Sequence, residues 1–253
     1  GATFHLGIAY DHFVAGGDSI VVLLKGIVAR YAGIPAEAPA PDVHPRGYAR
    51  LFVRNALAVC LGLFSLPAMI RRARHAVRPR YPHGDAGENA FIWLPVPATA
   101  QVALKRTSME WGVTPNDLLT AMLLMAVAPE ISGRSTQQRR SEIAIASVFN
   151  LRREVALAPA LSFGQFLSSF LVSHPMPPGV ALREVAADIQ AQTQRIKRRK
   201  LYLQILAAIA LGGLAWRHMH AQQQRRLYAK SFPVWAGITM LNVDRLWREA
   251  PGQ

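Results

Sequence analysis

The residues best suited to chemistry lie near the start of the chain, in YDHFVAGGDS (10–19). His12 is followed after three residues by Gly16 and Gly17, then by Asp18 and Ser19. A neutral imidazole takes a proton from a hydroxyl or amine near neutral pH. A glycine pair lets backbone approach a substrate closely. One imidazole is not a site, and a histidine at a strand end is ordinarily a satisfied structural residue. Asn150, Arg152 and Arg153 close an apolar run, and Asn242 closes another. The two arginines suit a phosphate or are solvated loop charge. Asn116 and Asp117 suit the polar first turn of a buried helix. Asp18 and Ser19 read as helix caps, and Ser19 alternatively as a donor to a reacting oxygen. His218 and His220 are two apart and leave a helix on different faces, so they are not read as metal ligands. The sequence carries no cofactor motif.

These residues need elements to hold them. Phe4, Leu6, Ile8, Tyr10 and His12 alternate at period two, which predicts a strand over 3–12 ending in an inward-pointing histidine. A helix follows to about Tyr31 with one broad apolar face, and Gly33 stops it. Pro35, Pro39, Pro41 and Pro45 mark a linker. Residues 48–75 read as one helix, 91–96 (FIWLPV) as a short strand and 98–111 as a helix broken by Gly112. The helix opened by Thr114 or Asn116 is apolar nearly all round, which predicts burial. Residues 143–149 read as a strand, 161–173 as a glycine turn with a second strand, and 180–200 as an amphipathic helix ending in cations. An uncharged run follows at 201–216, then a strand over 234–243. The mixture predicts an α/β (α+β) fold. The linear division is 1–34 for the histidine strand, turn and helix, 35–90 for a linker and apolar/basic helical segment, and 91–253 for the remainder.

The chain has 253 residues, 51% of them hydrophobic, enough for a sizeable core. A single cysteine, Cys60, excludes an internal disulfide and fits a reducing, cytoplasmic setting. The net charge of +14 favours an anionic partner. Arg71, Arg72, Arg74, Arg78 and Arg80 follow the uncharged run 55–70, and Arg195, Lys197, Arg198, Arg199 and Lys200 precede the run 201–216. Both runs read as core or tunnel-lining helices. Alternatively they are interfacial, with the cations on anionic headgroups at the inner membrane face. Neither reaches the ~20 residues of a spanning helix, and Pro67 interrupts the first. No zinc pattern or aromatic-glycine motif supports a nucleic-acid binder.

The stretch around His12 and four further segments carry a resemblance. HFVAGG sits where the coenzyme-A-dependent acyltransferase superfamily has its HHxxxDG signature. That superfamily has the chloramphenicol acetyltransferase fold and includes condensation domains and wax ester synthase/diacylglycerol acyltransferases. His12 matches the second, catalytic histidine; Asp11 stands at the first, Gly16 at the aspartate and Gly17 at the glycine. GVTPNDLLTA (112–121) resembles the GxTxNDxxLA segment of wax ester synthases, and VFNLRRE (148–154) the strand that follows it. SFGQFLSSFLV (162–172) resembles their FGN segment, and ITMLNVDRL (238–246) a late strand ending in an asparagine near the site.

The resemblance implies a two-layer α/β sandwich of two related halves with a tunnel between. It implies an acyl transfer from a coenzyme A or carrier-protein thioester to a hydroxyl, less readily an amine, of a lipophilic acceptor. His12 would be the general base, and Ser19 or Asn242 would donate to the oxyanion. No bound cofactor or metal is implied. The histidine comes unusually early, so the chain is expected to be the later part of a longer enzyme, lacking most of the N-terminal half. The family's aspartate pairs with an arginine and holds the histidine loop in shape. Gly16 cannot do this; Asp18 is placed to take over, with Arg152 or Arg153, or else merely caps its helix. The alternative reading is a catalytically degenerate module that binds a carrier protein or membrane.

Overall fold

The structure, a computed structural model, describes residues 5–10, 14–34, 42–43, 48–79, 92–132, 140–152, 154–155, 162–231 and 234–248. They form a mixed α/β fold whose contacts divide it into two compact units, each assembled from separate stretches of sequence. The first combines 1–55, 149–168 and 240–253; the second combines 56–148 and 169–239. This grouping cuts across the linear division at 34 and 90, because β-strand partners bring distant segments together.

In the first unit, α1 (Gly17–Tyr31) packs on α10 (Val243–Arg248). The strand β1 (Asp42–Val43) pairs in parallel with β3 (Ser162–Phe163), and α2 (Ala49–Arg54) buries Leu51. Ala15, Ile20, Val21, Leu151 and Phe166 complete the apolar interior. The α1 helix ends as its glycine dictates, with Gly33 at φ 72° in the left-handed region. Only its first turns are buried; Leu23, Ile27, Val28 and Tyr31, expected on a core face, are exposed. The expected strand over 3–12 is also corrected. Residues 5–10 join no sheet, and Leu6 and Tyr10 are exposed. Period-two alternation specifies a strand only where an edge is present to pair with it.

In the second unit, β4 (Leu167–His174), β2 (Ile143–Asn150) and β5 (Ala236–Ile238) form a sheet in that order, with β2 and β5 parallel. On β4 the side chains of Ser168, Phe170 and Val172 are buried in alternation. The helix α6 (Pro115–Ser132) packs on α5 (Ala98–Glu110) and α7 (Leu182–Arg198). Leu118, Ala121 and Leu124 bury one stripe of α6, while Met122 is exposed, so its all-apolar surface is not buried all round as expected. Gln192 of α7 donates to the Ser173 carbonyl of β4 at 2.8 Å, which ties helix to sheet.

The predicted single helix over 48–75 is three: α2, α3 (Ala56–Leu63) and α4 (Leu66–His75), with α3 and α4 bent by 53°. Pro67 in the first turn of α4 suits a helix start and not a helix interior. The FIWLPV strand is also absent over 92–96, where Ile92 and Trp93 are 85% and 80% exposed. Pro95 cannot donate to a ladder. The uncharged run 201–216 is helical, as α8 (Tyr202–Arg217), followed by α9 (Ala221–Ser231). The last strand is shorter than expected: β5 stops at Ile238, and Val243 already opens α10.

Candidate functional site

The turn that follows His12 is described from Val14 onward; Asp11 and His12 themselves lie outside the described residues, as does Arg153. Gly16 is the N-cap of α1 with extended backbone, φ −80° and ψ 162°. Its N–H donates to the Gly164 carbonyl at 3.0 Å. Gly164 has φ 147°, a conformation that favours glycine, so the β3–β4 turn presents bare backbone to the α1 turn. A Cβ built on Gly16 would lie 3.0 Å from the Gln165 side-chain oxygen, and one on Gly17 3.1 Å from Leu241. The place where the resembled motif has a carboxylate therefore faces the Gln165 amide.

The helix begins at Gly17, three residues earlier than a cap at Ser19 would require, so Ser19 is no cap. It sits fully buried within the first turn and faces the β3–β4 turn. Its Oγ donates to the Gly164 carbonyl at 3.0 Å and accepts from the Gly164 N–H at 3.1 Å. It also accepts from the Arg152 guanidinium. One donor and two acceptor positions are then all in use, which corrects its expected role as an oxyanion donor.

Arg152 is 5% exposed and holds this region together. Its Nε lies 3.7 Å from the Asp18 carboxylate, and its guanidinium stacks 4.7 Å over the Phe166 ring. Burial pushes the guanidinium below the ordinary arginine range, and Asp18 partly restores it. Asn150, at the end of β2, donates to the Asp18 carboxylate and accepts from the Arg152 N–H at 3.0 Å. Arg152 is thus a buried strut. This corrects the expectation of a phosphate ligand or a solvated loop charge. Asp18 is paired with Arg152 and is not the N-cap; at the first turn of α1 its charge also suits the helix dipole.

The other expected site residues lie elsewhere. Asn242 is exposed, and its Oδ1 caps α10 by accepting from the Arg245 N–H at 2.9 Å. The cap occupies the amide oxygen and does not involve Nδ2, the group an oxyanion would need. Asn116 belongs to the second unit, where it donates to Ser147 Oγ at 3.2 Å. Its neighbour Asp117 is fully buried and forms a capping pair with Thr114, whose Oγ1 donates to Oδ2 at 2.5 Å. The structure therefore brings Gly16, Gly17, Asp18, Ser19, Asn150 and Arg152 together and leaves Asn116 and Asn242 out of that cluster. Sequence reading missed Gln165, Phe166 and Tyr48, whose hydroxyl donates to the Gln165 carbonyl at 3.0 Å. The sequence signal for Gln165 and Phe166 was the glycine turn in SFGQF, and Tyr48 had none.

This fold has solved counterparts. The chain resembles the epimerization domain from the third module of tyrocidine synthetase B over 78% of its length, with a TM-score of 0.53 and 14% identity. It resembles a four-domain nonribosomal peptide synthetase, bound to AMP and glycine, over 73%, with a TM-score of 0.51 and 16% identity. The condensation domain of the monacolin K polyketide synthase matches over 80% at a TM-score of 0.49 and 15% identity. The chain spans 45% of the epimerization-domain structure and 14% of the four-domain one. No protein-family model matches the sequence, and no curated protein does. The fold is the condensation-type α/β fold related to chloramphenicol acetyltransferase.

Proposed function

We propose that this chain supplies the histidine-bearing part of an acyltransferase. The reaction moves an acyl group from a thioester to the hydroxyl of a lipophilic acceptor. One observation carries the reading. The turn after His12 is pinned to Gly164 and braced by the Asp18–Arg152 pair, in a chain of condensation-type fold. In this reading Asp18 does from one turn into the helix what a carboxylate at Gly16 would do from the loop. The neighbouring structures come from nonribosomal peptide synthetases, which favours a carrier-protein thioester as donor over coenzyme A.

His12 takes the proton of the acceptor hydroxyl. The oxygen attacks the thioester carbonyl, the new C–O bond forms, and a tetrahedral oxyanion appears. Its collapse breaks the C–S bond, and the departing sulfur receives the proton from the imidazolium. No covalent enzyme intermediate and no protein nucleophile is needed. Thiol release from acyl-carrier-protein and acyl-coenzyme A donors, with alcohol acceptors, tests the reading in the full chain and its His12→Ala variant. Acceptor-dependent release that the substitution abolishes supports it. Release that survives the substitution would remove His12 from the role.

A second reading has its own observation, the Gln165 amide 3.0 Å from where a Gly16 side chain would begin. It is a module that binds a thioester-bearing partner without turnover. Tight binding of an acylated carrier protein with no thiol release separates the two.

A further inference from the structure

We propose that the elbow between α3 and α4, together with the α7–α8 corner beside it, docks peripherally on an anionic lipid surface. This inference does not depend on acyl transfer.

The elbow is apolar where a water-facing surface should be polar. Leu57 is 73% and Phe64 84% exposed, and Leu61, Leu63 and Ile70 are also more than half exposed. No single helix among the described residues is long and apolar enough to cross a membrane, and the 53° bend makes this pair an elbow and not a straight span. Exposed Arg71 and Arg74 lie in the C-terminal half of α4. Long arginine side chains lay their stems along apolar surface and keep the charge at headgroup level.

The fold adds a second basic cluster that is far away in sequence. Gln204 near the start of α8 donates to the Val59 carbonyl of α3 at 2.8 Å, and its side chain packs on Gly62. Arg72 of α4 donates to Gln192 of α7 at 2.8 Å. These bonds hold the α7–α8 corner against α3 and α4, so exposed Arg195, Lys197, Arg198 and Arg199 stand beside the elbow. Acidic residues are missing from both stretches. Val43 to Gly84 holds eight arginines and no Asp or Glu; Ile189 to Val243 holds nine Lys and Arg and no Asp or Glu. The acids nearby in the fold are engaged, Glu142 by Ser173 at 2.6 Å and Asp188 by Gln192 at 2.7 Å.

Charge alone would suit an acidic protein or a nucleic acid. Neither accounts for an exposed phenylalanine and three leucines at the elbow. An anionic bilayer satisfies both properties: apolar side chains enter the acyl boundary and cations meet the headgroups.

Vesicle co-sedimentation of the full chain tests this, using phosphatidylcholine alone and an equal mixture with phosphatidylglycerol. Binding is expected to the mixed vesicles only, and to be released at about 1 M salt, where the Debye length is about 3 Å. Arg71→Gln with Arg74→Gln should weaken binding roughly thirtyfold. Leu61→Ser with Phe64→Ser should weaken it tenfold or more. Both pairs are exposed, and circular dichroism checks that each variant folds. No binding to mixed vesicles, or equal binding to both kinds, overturns the proposal. Retention after the salt wash would mean insertion and also overturns it. Binding that loses strength with the arginine pair but is unchanged by the Phe64 pair would point to an acidic protein or nucleic acid instead.

Discussion

Replacing Arg152 by methionine is the most informative perturbation of the region around the histidine turn. Methionine keeps most of the buried volume and removes the charge. Three of the interactions lost can be given a magnitude. The charge-assisted bond to Ser19 Oγ is worth about 1.5–3 kcal/mol net. Stacking on Phe166 adds about 0.5–2 kcal/mol. The Asp18 pair adds no more than about 1 kcal/mol, because its carboxylate is 20% exposed and the separation is 3.7 Å. Against this, methionine avoids the cost of burying a guanidinium, which is the same burial that depresses the Arg152 pKa. The net loss is about 2–4 kcal/mol, a large part of a typical folding free energy of about 5–15 kcal/mol. Residue-resolved hydrogen exchange of the α1 amides reads this locally, whatever the cooperativity of the whole chain. Arg152→Met should accelerate exchange in the first turns of α1, while Asp18→Asn, which keeps an oxygen for Asn150, should have a smaller effect. Their double variant should show a coupling of roughly 0.5–2 kcal/mol. Arg152→Met within about 0.5 kcal/mol of the native chain, or additivity of the pair, would refute the bracing role.

Two further outcomes follow from single contacts. Burial holds the Tyr48 hydroxyl above the ordinary phenol range. A raised folded pKa means that its contribution is fully present below the unfolded value of about 10 and is lost as pH rises through the folded value. Alkaline denaturation should therefore be shallower above about pH 10 in Tyr48→Phe, and an unchanged profile would deny the linkage. A Cβ at Gly62 would lie 2.0 Å from Gln204 Nε2, a buried amide already bonded to Val59. Gly62→Ala should cost about 1–3 kcal/mol in denaturant unfolding, and Gln204→Ala in the same chain should relieve most of that added cost. A neutral Gly62→Ala would show that α3 and α8 are not closely packed there.

The parts of the fold legible in the sequence are those set by local rules. Gly33 ends α1, Gly112 follows α5 and Asn150 ends β2, because positive φ and strand-end polarity leave marks on nearby residues. What failed depends on partners. Alternation in 5–10 and FIWLPV does not reveal whether a sheet edge is available, and neither segment has one. An uncharged run does not reveal where it bends, so 48–75 read as one helix. Within the candidate site, the resemblance offered Asp18 as a partner for Arg152 or Arg153, with a helix cap as the other reading, and the structure pairs it with Arg152. Ser19 was misread because its role turns on the start of α1, which lies at Gly17. The burial of Arg152 depends on Phe166 and Gly164, whose approach is a tertiary fact that no local pattern records.

The measurement closest to the central claim is single-turnover transfer from an acyl-loaded carrier protein to an alcohol, with the product read by mass. It is made on the full chain and on His12→Gln, which keeps a polar side chain and removes the titrating imidazole. Ester whose mass equals the acyl chain's free acid plus the acceptor less water, formed by the native chain and lowered by about 10²–10⁴-fold in the variant, is the predicted result. Equal ester formation by both chains would contradict His12 as the general base.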